Sequence, residues 1–536
     1  MLDVATPRWT ERPLRVLIAP DAFKGSLDAA AAAQAIAAGW RRQRPQDQLD
    51  LCPMADGGDG FGPVLAHWLG AEPRHCDTVD AAGRPRRARW WLAPSPLAAA
   101  PSPLAAAPLP LASAPGPSRS ALPPGVQPSA PAVPGAPPEL PATALAAQAS
   151  PQAGFAIVES AEVIGLALLP PALRHPLWPD DQPLEDVLLT EQPPDDVAPD
   201  DVAPDDSAPA GVALVDVAPD VSTLSGLTAR GAPAAGVAPP KRRNDSQDLE
   251  KQNLEHQGLD SRGLAPVLLA AAQAGAEHLL IGLGGSATND GGFGLARALG
   301  WRFFDGDGAA ILHWSELERL ERLEPPPQPP PLPQLVIAVD VRNPLLGPEG
   351  ATAVYGPQKG LTARQLPRAE ACLRRLAQCL EARFPGVAER PGSGAAGGLG
   401  YGLQVFCGGR LRAGAELVAE LCGLEARLEA ADLVIAGEGR FDGQSLMGKG
   451  TGRLLRRAQR AGRPSLLLVG QLDGAAWREA QAEAAAQGCA IAARALVTDC
   501  TDLPQACAAP ALWLERLAQR AAADLDALSP GAESGR

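Results

Sequence analysis

The sequence has few of the residues that build zinc sites, disulfide frameworks or nucleic-acid grooves. Its six histidines are dispersed, and its nine cysteines include no Cys-x-x-Cys pair, so neither a zinc site nor a Cys–His nucleophile is indicated. Because the cysteine count is odd and the spacing irregular, we expect reduced thiols. A net charge of −14 argues against a nucleic-acid groove, which needs clustered Lys and Arg.

Targeting and membrane signals are also scarce. The first ten residues lack the basic and apolar sections of a signal peptide. Prolines or charges interrupt every long apolar stretch, so none is long enough to cross a bilayer. We therefore expect a soluble cytoplasmic protein whose partners are small molecules, with neither nucleic acid nor membrane among them.

Two segments have a biased composition that is typical of disordered insertions. Residues 95–150 are rich in Ala, Pro, Leu and Ser, and they open with a tandem copy of Ser-Pro-Leu-Ala-Ala-Ala-Pro. Residues 179–260 contain three copies of Asp-Val-Ala-Pro-Asp. Proline at this density blocks helices and sheet ladders, and acidic repeats with few aromatic side chains bury too little apolar surface to fold.

The rest of the chain alternates short apolar runs with helical patterns, which favours a mainly parallel α/β architecture. Predicted strands are 14–19, 279–283, 335–339, 433–436 and 465–469, and predicted helices are 26–40, 293–299, 363–383 and 411–430. Residues 90–91 and 155–159 look like strands that flank the first insertion. That arrangement places the insertion at the tip of a surface hairpin.

The most informative motif follows the predicted strand 279–283. It reads Gly282-Leu-Gly-Gly-Ser-Ala-Thr-Asn-Asp-Gly-Gly292. Glycines let backbone N–H groups approach a phosphate, hydroxyls can donate to its oxygens, and Asp290 can hold a metal ion or take a proton. The motif therefore indicates phosphate handling. The predicted phosphate-binding residues are Gly284, Gly285, Ser286, Thr288 and Asn289.

Two further loops follow predicted strands in the same way. Residues 20–26 carry Asp21, Lys24 and Ser26, and residues 437–442 carry Glu438, Arg440 and Asp442. Open α/β sheets bind ligands at the carboxyl ends of their strands, so we expect the three loops to converge on one cleft. Beyond the last loop, Lys449 is either a further phosphate contact or a solvated lysine in a turn, because its segment is one residue short of a Walker A loop.

Further carboxylates are candidates for metal binding. Residues 55–60, Ala-Asp-Gly-Gly-Asp-Gly, place two carboxylates around a glycine turn, which suits magnesium or the orientation of a hydroxyl. The same pattern also fits an ordinary helix cap and turn. Asp340, at the end of the predicted strand 335–339, is likewise either a metal ligand or a loop cap.

The glycine-rich motif also matches a loose dinucleotide-binding pattern that begins at Gly282, with Asp305 ending a possible next strand. A nicotinamide-dependent oxidoreductase is therefore an alternative. In a dinucleotide site the helix begins inside the glycine motif, whereas residues 288–292 intervene here. Two adjacent glycines would weaken a first helical turn by about 1 kcal/mol each, so the sequence favours the phosphate site.

Taken together and in this order, the segments resemble the glycerate kinase family, in its bacterial type I branch. The resemblance covers nearly all of residues 14–475 apart from the two insertions. It rests on PDAFKGS (20–26), PMADGGDG (53–60), GLGGSATNDGG (282–292), DVRNPLLGPEGATAVYGPQKG (340–360), PGSGAAGGLG (391–400) and GEGRFDGQSLMGK (437–449).

The resemblance implies ATP-dependent phosphorylation of D-glycerate with magnesium. The product implied for this branch is 2-phosphoglycerate, with 3-phosphoglycerate as the alternative. It also implies two α/β domains with two disordered insertions. One is a flavodoxin-like parallel-sheet domain built from both chain ends (12–70 plus 410–530), and the other is a middle, restriction-endonuclease-like mixed domain (71–409).

Phosphoryl transfer needs positioning and charge neutralisation more than covalent chemistry. We expect the nucleotide phosphates against the backbone of 284–288 and the glycerate carboxylate at Arg440, since a guanidinium matches it bidentately. The rival role of Arg440 is a salt bridge with Glu438 or Asp442. The predicted catalytic residues are Lys24, Asp56, Asp290 and Lys359, the substrate-binding residues Ser26, Arg440 and Glu438, and the metal ligands Asp56, Asp290 and Asp340.

Overall fold

The computed structural model describes residues 12–93, 154–170, 258–446 and 450–525. The strands of these residues are β1 (Arg15–Pro20), β2 (Gln48–Leu51), β3 (Glu72–Val79), β4 (Pro85–Ala93), β5 (Gly154–Glu159), β6 (Ala276–Gly282), β7 (Arg302–Asp305), β8 (Leu320–Glu324), β9 (Gln334–Val339), β10 (Arg410–Ala413), β11 (Leu433–Phe441), β12 (Ser465–Leu472) and β13 (Ile491–Ala495).

The helices of the same residues are α1 (Ala29–Gln43), α2 (Phe61–Leu69), α3 (Ala161–Ile164), α4 (Leu264–Gln273), α5 (Phe293–Ala298), α6 (Ala351–Tyr355), α7 (Leu366–Glu381), α8 (Ala395–Cys407), α9 (Gly414–Leu421), α10 (Leu424–Ala430), α11 (Gly443–Leu446), α12 (Gly450–Arg460), α13 (Gly474–Ala486), α14 (Leu496–Asp499), α15 (Leu503–Ala508) and α16 (Pro510–Ala523). Short 3-10 turns cover Leu166–Leu168, Trp314–Arg319 and Pro357–Lys359.

Both ends of the described chain contribute to one five-stranded sheet. Its order is β13-β12-β11-β1-β2, and every neighbouring pair is parallel. Numbered within this sheet, the strands run 5-4-3-1-2, which is the flavodoxin-like order. The prediction of a parallel sheet built from both chain ends is therefore confirmed.

The middle of the chain forms a six-stranded mixed sheet in the order β10-β9-β6-β5-β4-β3. The four strands from β10 to β5 are parallel to one another, whereas β4 runs antiparallel to β5 and to β3. The pairing of Trp91 with Ile157 confirms the predicted strands on either side of the first insertion. The prediction of a mixed middle sheet is also confirmed.

The strand after the glycine-rich motif does not extend either sheet. β7 pairs antiparallel with β8 in a separate two-stranded ribbon. A dinucleotide-binding unit would instead place the next strand parallel to β6 in the same sheet. Asp305, at the end of β7, therefore lacks the position that the oxidoreductase alternative requires.

The prediction of a single helix over 411–430 was wrong in two respects. The first residues form a strand, and the rest forms two helices. β10 pairs with β9 through Leu411 and Ile337, so the apolar run begins as an edge strand. α9 then ends before Gly423, whose φ of +64° is left-handed, and α10 follows. Glycine adopts this conformation at little cost, which explains why the run divides there.

One apolar core lies between the two sheets. It joins Leu17 and Val434 of the parallel sheet to Ile157 and Leu280 of the mixed sheet, with Phe61 of α2 among them. All of these side chains are at most 1% exposed. Because burial of each large apolar side chain stabilises the fold by about 1.5–3 kcal/mol, this shared core fixes the edges of the two sheets relative to each other.

The loop 55–60 packs backbone against backbone at three places. A Cβ atom on Gly284 would lie 2.5 Å from Gly58 Cα, and one on Gly414 would lie 2.6 Å from Gly57 Cα. A Cβ atom on Gly282 would lie 2.8 Å from the Gly57 carbonyl oxygen. These separations are shorter than van der Waals contact, so only glycine permits the approach.

Substituting Gly284 tests this contact. We expect Gly284→Ala to destabilise the protein by about 1–3 kcal/mol, because the new methyl group overpacks a rigid backbone contact. The matched control is Gly306→Ala, where the new Cβ would meet only Glu321 Cγ at 3.6 Å. Thermal unfolding of the two variants should show a midpoint several degrees lower for Gly284→Ala alone; equal midpoints would contradict a tight contact.

Two sequence expectations fall partly or wholly outside the described residues. Residues 95–150 lie entirely outside them, as do 179–257. Leu259 and Asp260 are buried at 5% and 4% exposure, so the second insertion ends earlier than the predicted boundary at 260. The domain limits at 70 and 409 stay a prediction. No helix of the described ranges is both long and apolar enough to span a membrane.

Candidate active site

A cavity of about 290 Å³ opens at the carboxyl edge of the parallel sheet. There β1 and β11 lie side by side, at the point where the strand order reverses, which is the usual ligand position in doubly wound sheets. We call it the switch-point cavity. Its polar residues include Asp21, Lys24, Ser26, Asp56, Glu438, Arg440 and Asp442.

The charges of the switch-point cavity perturb one another. Burial acts to lower the pKa of Lys24, but the carboxylates of Asp56 and Asp21 outweigh it, so the pKa is raised. Burial, followed by the charge of Asp56, raises the pKa of Asp21 well above its ordinary value. Lys24 therefore keeps its proton, and Asp21 is an unusually basic carboxylate.

The predicted substrate-binding residues line this cavity. The Ser26 hydroxyl donates to the Phe23 carbonyl oxygen at 2.9 Å. The Arg440 side chain is 65% exposed, and its Nε lies 3.5 Å from Asp442 Oδ2. The ion pair with Asp442, which was the rival role of Arg440, is thus present, while the guanidinium still borders the cavity.

A second cavity, of about 570 Å³, lies on the side of the mixed sheet. We call it the glycine-loop cavity, because the loop after β6 forms part of its wall. Lys24, Asp56 and Gln444 line both cavities, so the two adjoin at these side chains. Its other residues include Leu166, Leu283, Gly284, Gly285, Ser286, Asp340, Val341, Val354, Tyr355, Gln358, Lys359 and Ala396.

Asp340 ends β9 at the border of the glycine-loop cavity. Its side chain is 5% exposed, and its Oδ1 lies 3.2 Å from Arg453 Nη1. Its Oδ2 accepts the Ala415 amide at 3.0 Å. Burial, followed by the charge of Asp56, raises the pKa of Asp340 to about 7. Asp56 and Asp340 therefore repel each other electrostatically, and a cation between them would relieve that repulsion.

The donor set suits magnesium in part. Among the described residues, no three His, Cys, Asp or Glu side chains gather in a metal-binding cluster. Magnesium is commonly held by one or two carboxylates and completed by substrate phosphates and water. Apart from its ion pair with Arg453, the buried Asp340 Oδ1 makes no hydrogen bond among the described residues, so Asp56 and Asp340 fit such a partial set.

Lys359 lies behind the glycine-rich loop. The side chain is 3% exposed, and its Nζ donates to the Thr288 carbonyl oxygen at 2.7 Å and lies 3.3 Å from Ser286 Oγ. Burial lowers the pKa of Lys359 to about 7. Lys359 also borders the glycine-loop cavity, together with Gly284, Gly285 and Ser286.

Three predicted site residues, in the second half of the glycine-rich motif, are not among the residues that line the two cavities. Thr288 and Asn289 are buried, and Asn289 Nδ2 donates to Thr352 Oγ1 at 3.0 Å. Asp290 is completely buried. This half of the motif is therefore anchored in the protein interior. Lys449 lies outside the described residues.

The carboxylate of Asp290 is surrounded by protein donors. Oδ2 accepts the Ser261 amide at 2.9 Å, the Ser261 hydroxyl at 2.7 Å and the Gly294 amide at 2.9 Å, and Oδ1 accepts the Gly292 amide at 3.1 Å. Burial, followed by the charge of Asp260, raises the pKa of Asp290. In this structure the Asp290 carboxylate therefore supports the loop, and its expected place as a catalytic or metal-binding residue stays a prediction.

Replacing the Asp290 carboxylate distinguishes a role in supporting the loop from a role in catalysis. We expect Asp290→Asn to lower stability by about 2–3 kcal/mol, because the amide NH₂ would face N–H and O–H donors inside the protein. Thermal unfolding and steady-state turnover should both be measured, with Asp307→Asn on an exposed turn as the control. A variant of normal stability whose turnover falls by orders of magnitude would return Asp290 to the mechanism.

Sequence reasoning missed the role of Glu159. This residue ends β5, and its two carboxylate oxygens accept the Gly60 and Gly62 amides, each at 3.0 Å. It thereby holds the start of α2 and the loop 55–60 that carries Asp56. Burial raises the pKa of Glu159 to about 7. Its position at the carboxyl end of a buried strand was the only sequence signal for this contact.

Comparisons with known proteins agree with this geometry. The sequence profile of the glycerate kinase family matches residues 16–109 and 246–526. The chain belongs to the glycerate kinase family. Family membership makes it a kinase, an enzyme that transfers a phosphoryl group and therefore uses a nucleotide substrate.

Individual relatives support the same placement. A glycerate kinase from Halalkalibacterium halodurans is 27% identical over 461 residues, which cover 85% of each chain. The glycerate 2-kinase of Escherichia coli is 37% identical over 210 residues, which cover 38% of this chain and 55% of that one.

A crystal structure from Salmonella typhimurium LT2, assigned as glycerate kinase 2, superposes with a TM-score of 0.58 at 26% identity. It covers 96% of this chain and 99% of its own. The two-sheet architecture is therefore shared with that solved structure.

Proposed function

We propose that the protein phosphorylates D-glycerate with ATP and forms 2-phospho-D-glycerate and ADP. The observation that carries the proposal is the meeting of two ligand-sized cavities at Lys24 and Asp56, in a chain of the glycerate kinase family. Two substrates that exchange a phosphoryl group must meet at one point, with positive charge beside it. The C2 product is supported by the E. coli glycerate 2-kinase, at 37% identity.

The two cavities differ in a way that suits the two substrates. The glycine-loop cavity has about twice the volume of the other, and it presents Ser286 and the glycine backbone for phosphates and Val354 for a base. The switch-point cavity offers Ser26, Glu438 and Arg440 for a small, polar hydroxy acid. We therefore place ATP in the glycine-loop cavity and glycerate in the switch-point cavity.

The reaction joins the C2 hydroxyl oxygen to the γ-phosphorus, breaks the bond from that phosphorus to the bridging oxygen, and releases the hydroxyl proton. Lys24 lies where the cavities meet, so its cation offsets charge on the transferring group. Asp21 lines the cavity assigned to glycerate, and its raised pKa makes it a suitable acceptor for the proton. Arg440 positions the glycerate carboxylate.

Magnesium, when bound with the nucleotide, would neutralise charge on the phosphates. Asp56 and Asp340 are the residues that would hold it, since their carboxylates border the glycine-loop cavity. Asp290 is not proposed as a ligand, because protein donors occupy its oxygens. Asp56 is then shared between the ion and the Lys24 ammonium.

The function is tested by incubating the purified protein with ATP, magnesium and D-glycerate and following the products by phosphorus NMR with proton coupling. We expect a new doublet, because a phosphate on C2 couples to one proton. A triplet would indicate C3, and the absence of any new phosphate ester would overturn the proposal.

In the same assay, Asp21→Asn should lower kcat by about 10²- to 10⁴-fold; unchanged kcat would exclude Asp21 as the proton acceptor.

The placement of the substrates is tested with a pair of apolar residues. Val354 and Leu503 border different cavities and are 44% and 45% exposed. We expect Val354→Ser to raise the KM for ATP about fivefold, because loss of its methyl groups removes roughly 1 kcal/mol of apolar contact. Leu503→Ser should leave that KM unchanged, and the reverse pattern would exchange the two cavities.

A further inference from the structure

Lys359 is a buried lysine without an acidic partner. Among the described residues, no carboxylate oxygen comes within the 4.0 Å of an ion pair with its Nζ. Its two hydrogen-bond partners among these residues, the Thr288 carbonyl oxygen and Ser286 Oγ, are both neutral. A buried ammonium with no carboxylate in ion-pair contact is destabilised relative to the neutral amine.

The number of hydrogen-bond donors changes with the charge of this side chain. A neutral amine has two N–H groups, and the two oxygen partners can accept both. An ammonium has three N–H groups, so protonation leaves one donor, and a positive charge, without a partner in the protein. Because Lys359 and Ser286 border the glycine-loop cavity, a ligand atom in that cavity is the available acceptor.

The surrounding charges favour a mobile proton on Lys359. From the loop after β6 it faces Asp290, whose negative charge acts to raise its pKa, yet burial dominates and lowers the value to about 7. Asp290 is already engaged by Ser261, Gly292 and Gly294. The other titratable groups of the cavity are Lys24 from the loop after β1, Asp56, Asp340 at the end of β9 and Tyr355 of α6.

We propose that an oxyanion enters the glycine-loop cavity together with a proton, which Lys359 takes up, so that the loop and the lysine form a proton-linked anion receptor. The ligand chemistry is a phosphate or carboxylate oxygen. The identity of the anion, a phosphate oxygen of the nucleotide, rests on the proposed function, whereas the proton linkage does not. The carboxylate of glycerate is the other possible source.

Proton linkage has a measurable sign. Below pH 7 Lys359 is already charged, so binding there requires little proton uptake. Above pH 7 the free protein is neutral at this position, and each unit of pH weakens anion binding by up to tenfold until the pKa of the bound state is reached. Protonation of Asp340 below about pH 7 also favours anion binding, so the lysine must be isolated with a variant.

The experiment is calorimetric titration of the full-length protein between pH 6 and 9, in buffers that differ in ionisation enthalpy. Three ligands are used separately, without magnesium: ADP, D-glycerate and inorganic pyrophosphate. The same titrations with Lys359→Met subtract the ionisation of the ligands and of Asp340. Lys24→Met, the same substitution at the other lysine of this cavity, is the matched control.

We expect wild-type protein to take up a proton with ADP and with pyrophosphate at pH 8, and their Kd to rise several-fold between pH 7 and 8. Lys24→Met should bind more weakly but keep the pH slope, whereas Lys359→Met should lose it. Lys359→Arg should bind with a flatter slope, because a guanidinium stays charged. Should Lys359→Met fail to fold, the wild-type proton uptake and the arginine variant decide.

The outcomes separate this inference from the proposed function. A proton-linked slope with D-glycerate alone supports the receptor and identifies its anion as the carboxylate. The inference is overturned if wild-type protein binds pyrophosphate without taking up a proton. It is also overturned if the pH dependence of pyrophosphate binding is unchanged in Lys359→Met. Both results hold whatever the kinase assay shows. Failure of phosphoryl transfer together with proton-linked pyrophosphate binding overturns the function alone.

Discussion

The close backbone approach between loop 55–60 and the strand ends of the mixed sheet is the contact on which the site depends. Gly284 and Gly414 meet Gly58 and Gly57 at distances that leave no room for a side chain. The loop leaves β2 of the parallel sheet and enters α2, which packs beneath the mixed sheet. Asp56 therefore occupies a position that both sheets determine together.

This arrangement concentrates charge where the two cavities adjoin. Lys24 comes from the parallel sheet, Asp340 from the mixed sheet, and Asp56 from the loop between them. The raised pKa values of Asp21 and Asp340 both include a contribution from Asp56, so one carboxylate couples the protonation states of the two sides. Such mutual perturbation is typical of functional sites.

Much of the fold could be predicted, because strand-like runs and their following glycine loops have strong local signals. The pairing of β4 with β5 was predictable from two short apolar segments, although about sixty residues separate them. The hydrogen-bond partners of Glu159 and Asp290 were not predictable. Both are carboxylates beside a glycine-rich loop, and sequence cannot show whether the donors around such a group are a substrate or backbone amides.

The prediction of a helix over 411–430 failed for a different reason. Its apolar spacing fits a helix, but Leu411 pairs with Ile337 in the mixed sheet, a contact between residues far apart in the chain. The element was therefore decided by tertiary pairing, which overrides local preference. The sequence did predict that the three loops converge. It could not show that they line two adjoining cavities, whose walls combine the loops of both sheets.

The antiparallel pairing of β4 and β5 sets a simple geometric condition on the chain between them. Ala93 and Phe155 are partners in the ladder, so the connecting segment departs and returns at neighbouring strand positions, roughly 5 Å apart. The fold requires only that these two ends meet, and it places no upper limit on the length of what joins them. In evolution and in protein engineering, the connection between β4 and β5 is therefore an insertion site. A segment there can be lengthened, shortened or exchanged while the two sheets keep their registers.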